Sequence, residues 1–235
     1  MTTPDMFCQQ VFELRFEPMG AFLDIRGKLA DHVRKEMFKH WAIGENRLDF
    51  WDSGKREEDK NTAFVSYRNC GFVSIQPPTE NFFEDKASKF LRVLSTSSVF
   101  AFPRATRLGV RSSFFAYSHL PFSELCQKFY HHFYQEQITR LFGGTVEDVG
   151  IIVNLRKDKS FFNITTGPMK KEQAVQYFKA KLGDLKDVGV YFDIDYFQTD
   201  LGKADLKDIS VLIKTFSQES FSQLNDVLKL STVRV

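Results

Sequence analysis

Twice along the chain the hydrophobic pattern runs through the same order of elements: a strand, an amphipathic helix, three strands and a second helix. Alternating apolar and polar residues mark a strand with one buried face; apolar residues three and four apart mark a helix with one buried stripe. Gln10 to Glu17 sets Phe12, Leu14 and Phe16 against Val11, Glu13 and Arg15, and Pro18 ends it. The spacing of Phe22, Ile25, Leu29, Val33, Met37 and Trp41 predicts one long helix from about Ala21 to Ala42, stopped by Gly44. Strands follow at Arg47 to Trp51, Ala63 to Arg68 and Gly71 to Gln76, with the charged run Asp52 to Asn61 as a loop. Pro77-Pro78 closes the last strand. Thr79 is read as the N-cap of a helix carrying Phe83, Ala87, Phe90, Leu91 and Leu94.

The order then repeats. Arg107 to Ala116 is a strand, and Phe122, Leu125, Cys126, Phe129 and Phe133 share one helical face. Gly143-Gly144 break the chain. Val149 to Arg156 and Ser160 to Thr166 read as strands joined by a polar turn at Lys157-Asp158-Lys159. A helix inserted at about Lys170 to Lys181 has no counterpart in the first half. The strand Val188 to Phe197 and a final helix from about Asp205 to Lys229 complete the unit. No residue identity relates the halves; only the order repeats. Each half can cover one face of a four-stranded, mostly antiparallel sheet, and pairing the two sheets edge to edge removes an exposed edge from each. The expected fold class is therefore α+β. Two duplicated β-α-β-β-β-α halves, residues 1–103 and 104–235, form one structural unit with a long curved antiparallel sheet and helices packed on one face. This resembles the TATA-binding-protein-like saddle and its helix-grip relatives. The 26 phenylalanines would fill the layer between sheet and helices.

Composition excludes several classes. Lysine and arginine number 32 against 30 acidic residues, a net charge of +2, so bulk charge does not mark a strongly basic nucleic-acid binder. The pI near 8.3 keeps that class as an alternative. Mean hydropathy is −0.29, and no apolar run approaches the roughly 18 residues of a membrane span. The opening MTTPDMFCQQ lacks the basic and apolar regions of a secretory signal. Cys8, Cys70 and Cys126 are scattered and odd in number, which points to reduced thiols and a cytoplasmic location. His131-His132 would point about 100° apart on a helix, which does not suit one metal. No G-x-S-x-G, Walker A or G-x-G-x-x-G run occurs, so no cofactor is expected.

Three segments carry a family resemblance: VFELRFEP (Val11 to Pro18), RLGVRSSFF (Arg107 to Phe115) and YFDIDYF (Tyr191 to Phe197), the last followed by a long helix with Phe221. They resemble a sporadically distributed family of uncharacterised bacterial and archaeal proteins of about this length. Where that family's central strand has Tyr-Asn after its second arginine, this chain has Ser112-Ser113. The resemblance covers nearly the whole chain in order of elements and implies no particular reaction.

Candidate function lies on the sheet face away from the helices. Alternation assigns to it Glu13, Arg15 and Glu17, Arg107 and Arg111, Asn154 and Arg156, Asn163, Asp193 and Asp195. Four arginines meet four carboxylates, a balance that suits cross-strand ion pairs such as Arg111 with Asp193 better than a phosphate-binding saddle. Phe115 and Phe161 fall on the same face, where an aromatic can anchor a partner or stack a base. The leading expectation is a non-enzymatic binding module that recognises a protein or polar ligand through Arg15, Arg107, Arg111, Phe115, Arg156 and Phe161, with self-association compatible. Nucleic-acid binding is the second expectation. The third is metal-dependent nucleotidyl or phosphodiester chemistry, because Asp193 and Asp195, two apart on a strand, would share a face about 7 Å apart. The arginines around that pair compete with a cation for it, so ion pairing is expected instead.

Overall fold

The computed structural model describes residues 6–135, 137–178, 185–202 and 205–230. Nine strands form one open antiparallel sheet: β1 (Met6–Phe16), β2 (His40–Ile43), β3 (Arg47–Trp51), β4 (Asn61–Ser66), β5 (Asn69–Ile75), β6 (Ala105–Tyr117), β7 (Ile151–Lys157), β8 (Ser160–Lys170) and β9 (Val188–Gly202). Their spatial order is β2-β3-β4-β5-β1-β6-β9-β8-β7. The helices are α1 (Phe22–Glu36), α2 (Phe82–Ser95), α3 (Phe122–Phe133), α4 (Gln137–Phe142), α5 (Lys171–Phe178) and α6 (Leu206–Leu230). β1 and β6 pair antiparallel along nearly their whole lengths, so the sheet is continuous from the first half of the chain into the second. On each side of this seam the last strand of the half lies beside its first, and the order then runs backward along the chain.

The alternating residues do what their pattern requires. Phe12, Leu14, Phe72, Val110, Phe114, Phe192, Ile194 and Tyr196 point to one face and are buried against α1, α2, α3 and α6. Phenylalanines knit this layer: Phe114 meets Phe221 of α6 edge-on at 4.9 Å between ring centroids, and Phe38 stacks on Phe50 at 6.0 Å. At the seam one polar residue enters the core. Gln10 is fully buried, and its Nε2 donates to Ser217 Oγ of α6 at 2.9 Å and to Ser112 Oγ at 3.3 Å. These bonds fix the register of α6 over the seam, where apolar packing alone would let a helix slide.

Four expectations need correction. The long first helix stops at Glu36, and the backbone N–H of Met37 closes it on Val33. His40 to Ile43 is instead a strand of its own, in a hairpin whose turn is closed by the Gly44 N–H to the Arg47 carbonyl. Trp41 continued the helical stripe only by coincidence of spacing; buried Phe38 fills the core there. Among the described residues the first half therefore has five strands. Secondly, α2 begins at Phe82 after Asn81 and has no side-chain cap, so Thr79 is not its N-cap. Thirdly, Gln137 to Phe142 forms the short helix α4, just before the break at Gly143 and Gly144, both at positive φ. Lastly, not every helix lies on one face. The inserted helix α5 packs on the opposite side of the sheet, where Ala174 and Phe178 join Phe7, Phe115, Tyr117 and Met169 in a second apolar cluster. Its expected last residues, 179–181, lie outside the described residues. Among the described residues, no helix is long and apolar enough to cross a membrane.

Candidate binding face

Antiparallel register brings the predicted residues into rows on the face opposite α1, α2, α3 and α6. Ser113 lies opposite Asp193, Arg111 opposite Asp195, and Gly109 opposite Phe197. Phe161 lies opposite Phe197, and Arg156 opposite Phe161. On the far side of the seam, Glu13 lies opposite Gly109 and Arg15 opposite Arg107. All six predicted binding residues thus sit on one face, but their environments differ sharply.

Phe115 is fully buried beneath α5, packed against Tyr117 at 5.6 Å and Phe178 at 6.4 Å. Its side of the sheet was legible from alternation; the insertion that covers it was not. Phe115 is therefore a core residue and presents nothing to a partner. Arg111 lies beside it, and its Nε and Nη2 bind the Asp193 carboxylate at 2.8–3.2 Å. The same carboxylate accepts from Ser113 Oγ at 2.6 Å and from the Tyr177 hydroxyl of α5 at 2.8 Å. Three donor side chains converge on one aspartate, so this cluster is a latch that ties α5 to the sheet. Burial, and then the Asp193 charge, push the Tyr177 phenol up to about 12, which keeps it a donor at neutral pH.

Arg107 takes a different path. Its guanidinium lies over Gly109, where a Cβ would come within 2.8 Å of Nη1. That trough lets it reach across to β9, stacking on the Phe197 ring at 4.5 Å while Nη2 binds Asp195 Oδ2 at 2.9 Å. Burial holds the Asp195 carboxyl above the ordinary range, although the Arg107 and Arg111 charges pull the other way. The ion pairing expected for Asp193 and Asp195 is thus present for both.

From Arg107 a single stack runs to the sheet edge. Phe197 stacks on Phe161 at 5.3 Å with 15° between ring planes, and the Arg156 guanidinium covers Phe161 at 5.2 Å. Centroids separated by about one strand spacing, with near-parallel planes, mean that the rings stand upright on the sheet. Each ring has both faces covered: Phe197 by Arg107 and Phe161, Phe161 by Phe197 and Arg156. The row presents ring edges and guanidinium N–H groups to solvent, with no free ring face for a base. Phe197 was missed in the sequence, although its spacing of two from Asp195 carries the signal. Tyr177 carried none, because its partner is set by how the insertion packs.

Beyond the seam, Glu13 accepts from Arg15 Nε and Nη2 at 3.0 and 3.1 Å and from Asn69 Nδ2 at 2.6 Å. Burial alone would raise the Glu13 carboxyl, but these hydrogen bonds and the Arg15 and Arg107 charges outweigh it and hold the group below its ordinary value. A depressed carboxyl contributes stability that is present above its unfolded pKa of about 4.3 and lost as pH falls through the lower folded value. Urea unfolding at a series of pH values should therefore find wild type more stable than Glu13→Gln at neutral pH, with the gap closing as the pH falls below the unfolded carboxyl value. A constant gap would assign the loss to packing instead. Asp195, with its carboxyl raised, works in the opposite sense: its contribution is present below its unfolded pKa and lost as pH rises through the folded one.

Burial pushes the thiols of Cys8 and Cys70 far above the ordinary cysteine range and that of Cys126 to about 11, so none is an ionised nucleophile at neutral pH. Compared with known proteins, the chain matches no family model and no curated protein.

Proposed function

We propose that the chain is a non-enzymatic binding module whose exposed sheet face recognises a carboxylate-bearing segment of a protein partner. The observation that carries this reading is Arg156. It stands exposed at the outer end of the stacked row, with its guanidinium over the Phe161 ring at 5.2 Å. Among the described residues its Nε donates to the Asp158 carbonyl at 3.3 Å and its two Nη groups meet no acceptor. A pre-oriented guanidinium with free paired donors fits a carboxylate in bidentate fashion and loses little side-chain entropy on binding. Arg15, half-exposed beside Glu13, supplies a second cation across the seam. Arg107 and Phe197 serve as the support that positions Arg156 and Phe161.

The two other readings have less support. Stacking of bases needs a free ring face, and both rings of the row have theirs covered. Metal-dependent chemistry at Asp193 and Asp195 needs carboxylate oxygens free for a cation, and both groups already bind arginine. The same proposal takes the two halves as duplicates, supported by the way strand order runs backward from the β1–β6 seam on both sides. Fluorescence anisotropy with a labelled glutamate-rich peptide and, separately, a mixed-sequence single-stranded oligonucleotide tests the reading. The peptide should bind and weaken with added salt, and the oligonucleotide should bind less well at every salt concentration. The reverse ranking would bring the nucleic-acid reading forward.

A further inference from the structure

Ten large hydrophobic side chains are exposed among the described residues, and five of them, Ile138, Leu141, Phe142, Ile152 and Leu155, lie on α4 and β7. Ile152 is 77% exposed in the body of a strand. β7 ends the sheet, so one side of its backbone has no strand partner among the described residues. Edge strands are normally protected by proline, a bulge or a mid-strand charge. β7 has none of these over Ile151 to Leu155, and its register with β8 is unbroken. The opposite edge, β2, is only four residues long.

The geometry points to a second copy of this chain as the occupant, with β7 paired antiparallel to itself about a two-fold axis at Asn154. The argument is the strand's own complementarity. Centred on Asn154, that register sets Val153 against the partner's Leu155 on the helix side. On the other face it sets Ile152 against the partner's Arg156 and Asn154 against the partner's Asn154. Ile151 meets the partner's Lys157, whose aliphatic stem covers it. No like charges stand opposite each other, which a register placing Arg156 against itself would violate. The two Arg156 residues lie four positions apart along the paired strands, about 13 Å, beyond the Debye length of about 8 Å at physiological salt. A two-fold contact of this kind closes on itself, whereas β7 against the partner's β2 would propagate head to tail. The dimer joins two sheets into one and sets both stacked arginine–phenylalanine rows on a single continuous face.

The test uses the full chain with Asn154→Cys. Residues opposite each other in an antiparallel pair have Cα atoms about 4.5–5.5 Å apart, within disulfide range. The native Cys8, Cys70 and Cys126 are buried, so the new thiol is the reactive one. Mild oxidation should give a covalent dimer from Asn154→Cys and little from Ala42→Cys on β2. By sedimentation, wild type should be a dimer at micromolar concentration and Ile152→Lys a monomer with unchanged circular dichroism. A monomeric wild type overturns the proposal. So does a dimer that persists in Ile152→Lys, or one that cross-links through Ala42→Cys rather than Asn154→Cys.

Discussion

Phe115→Ala is expected to destabilise the protein by about 3–5 kcal/mol, the range for truncating a buried phenylalanine. The ring is fully buried between the sheet and α5, against Phe178 and Tyr117, and it also roofs Gly189, whose added Cβ would lie 2.9 Å from it. Removing it opens a cavity under α5 and weakens that helix's packing, leaving it held by Phe178 against Phe7 and by the Tyr177 bond to Asp193. For a chain of this size each kcal/mol lowers the melting temperature by roughly 2–4 °C, so a fall of about 10 °C is expected. Urea unfolding checks it, with a lower midpoint and an unchanged slope. Phe161→Ala is the contrast: its ring edge is solvent-exposed, and a loss of about 1 kcal/mol is expected. Equal losses at the two positions would mean that α5 does not cover Phe115 in solution.

Gly71→Ala should be nearly as damaging, at about 2–4 kcal/mol, although it adds one methyl group. Gly71 lies in β5 opposite Glu13, and an added Cβ would stand 2.4 Å from the Phe12 carbonyl oxygen and 2.6 Å from the Phe64 ring. The ring could rotate away. The carbonyl belongs to the adjacent central strand and cannot move without disturbing the β1–β5 ladder. Phe64 lies flat over the glycine and carries the Arg47 guanidinium on its outer face at 4.1 Å. This is the first half's version of an arginine laid on a ring across the sheet. Gly20→Ala is the control, because nothing lies within 4 Å of its added Cβ. A Gly71→Ala protein as stable as wild type would contradict the close approach of these strands.

Most of the fold was legible because each strand has one greasy face and each core helix one greasy stripe, and those periods are set by backbone geometry. The alternation through Glu13, Arg111 and Asp193 placed these residues on one face of the sheet for the same reason. What the pattern could not carry is tertiary. Trp41 fits a helical period and a strand equally well, and only Phe38, turning into the core beside Phe50, separates the two. The helix at Lys171–Phe178 is amphipathic whichever face of the sheet it covers, so Phe115 was assigned to the surface when it is core. The reach of Arg107 to Asp195 depends on the missing side chain at Gly109, a trough that no periodicity reveals. The pair Arg111 and Asp193 was readable from charge and strand position, but Tyr177 as its third partner was not.

Arg156, braced by Phe161 at the end of the stacked row, is the docking point proposed for a partner's carboxylate. Its most direct measurement is the affinity of the labelled glutamate-rich peptide for wild type, Arg156→Ala and Arg92→Ala, the last on the exposed side of α2 as a charge-matched control. A charge-assisted hydrogen-bonded contact contributes about 1.5–3 kcal/mol, so Arg156→Ala should weaken binding by roughly 10- to 100-fold. Arg92→Ala should bind as wild type does, and all three proteins should unfold at the same temperature. Equal weakening by both substitutions would reduce the attraction to bulk charge. An Arg156→Ala protein that binds as tightly as wild type would contradict the claim outright.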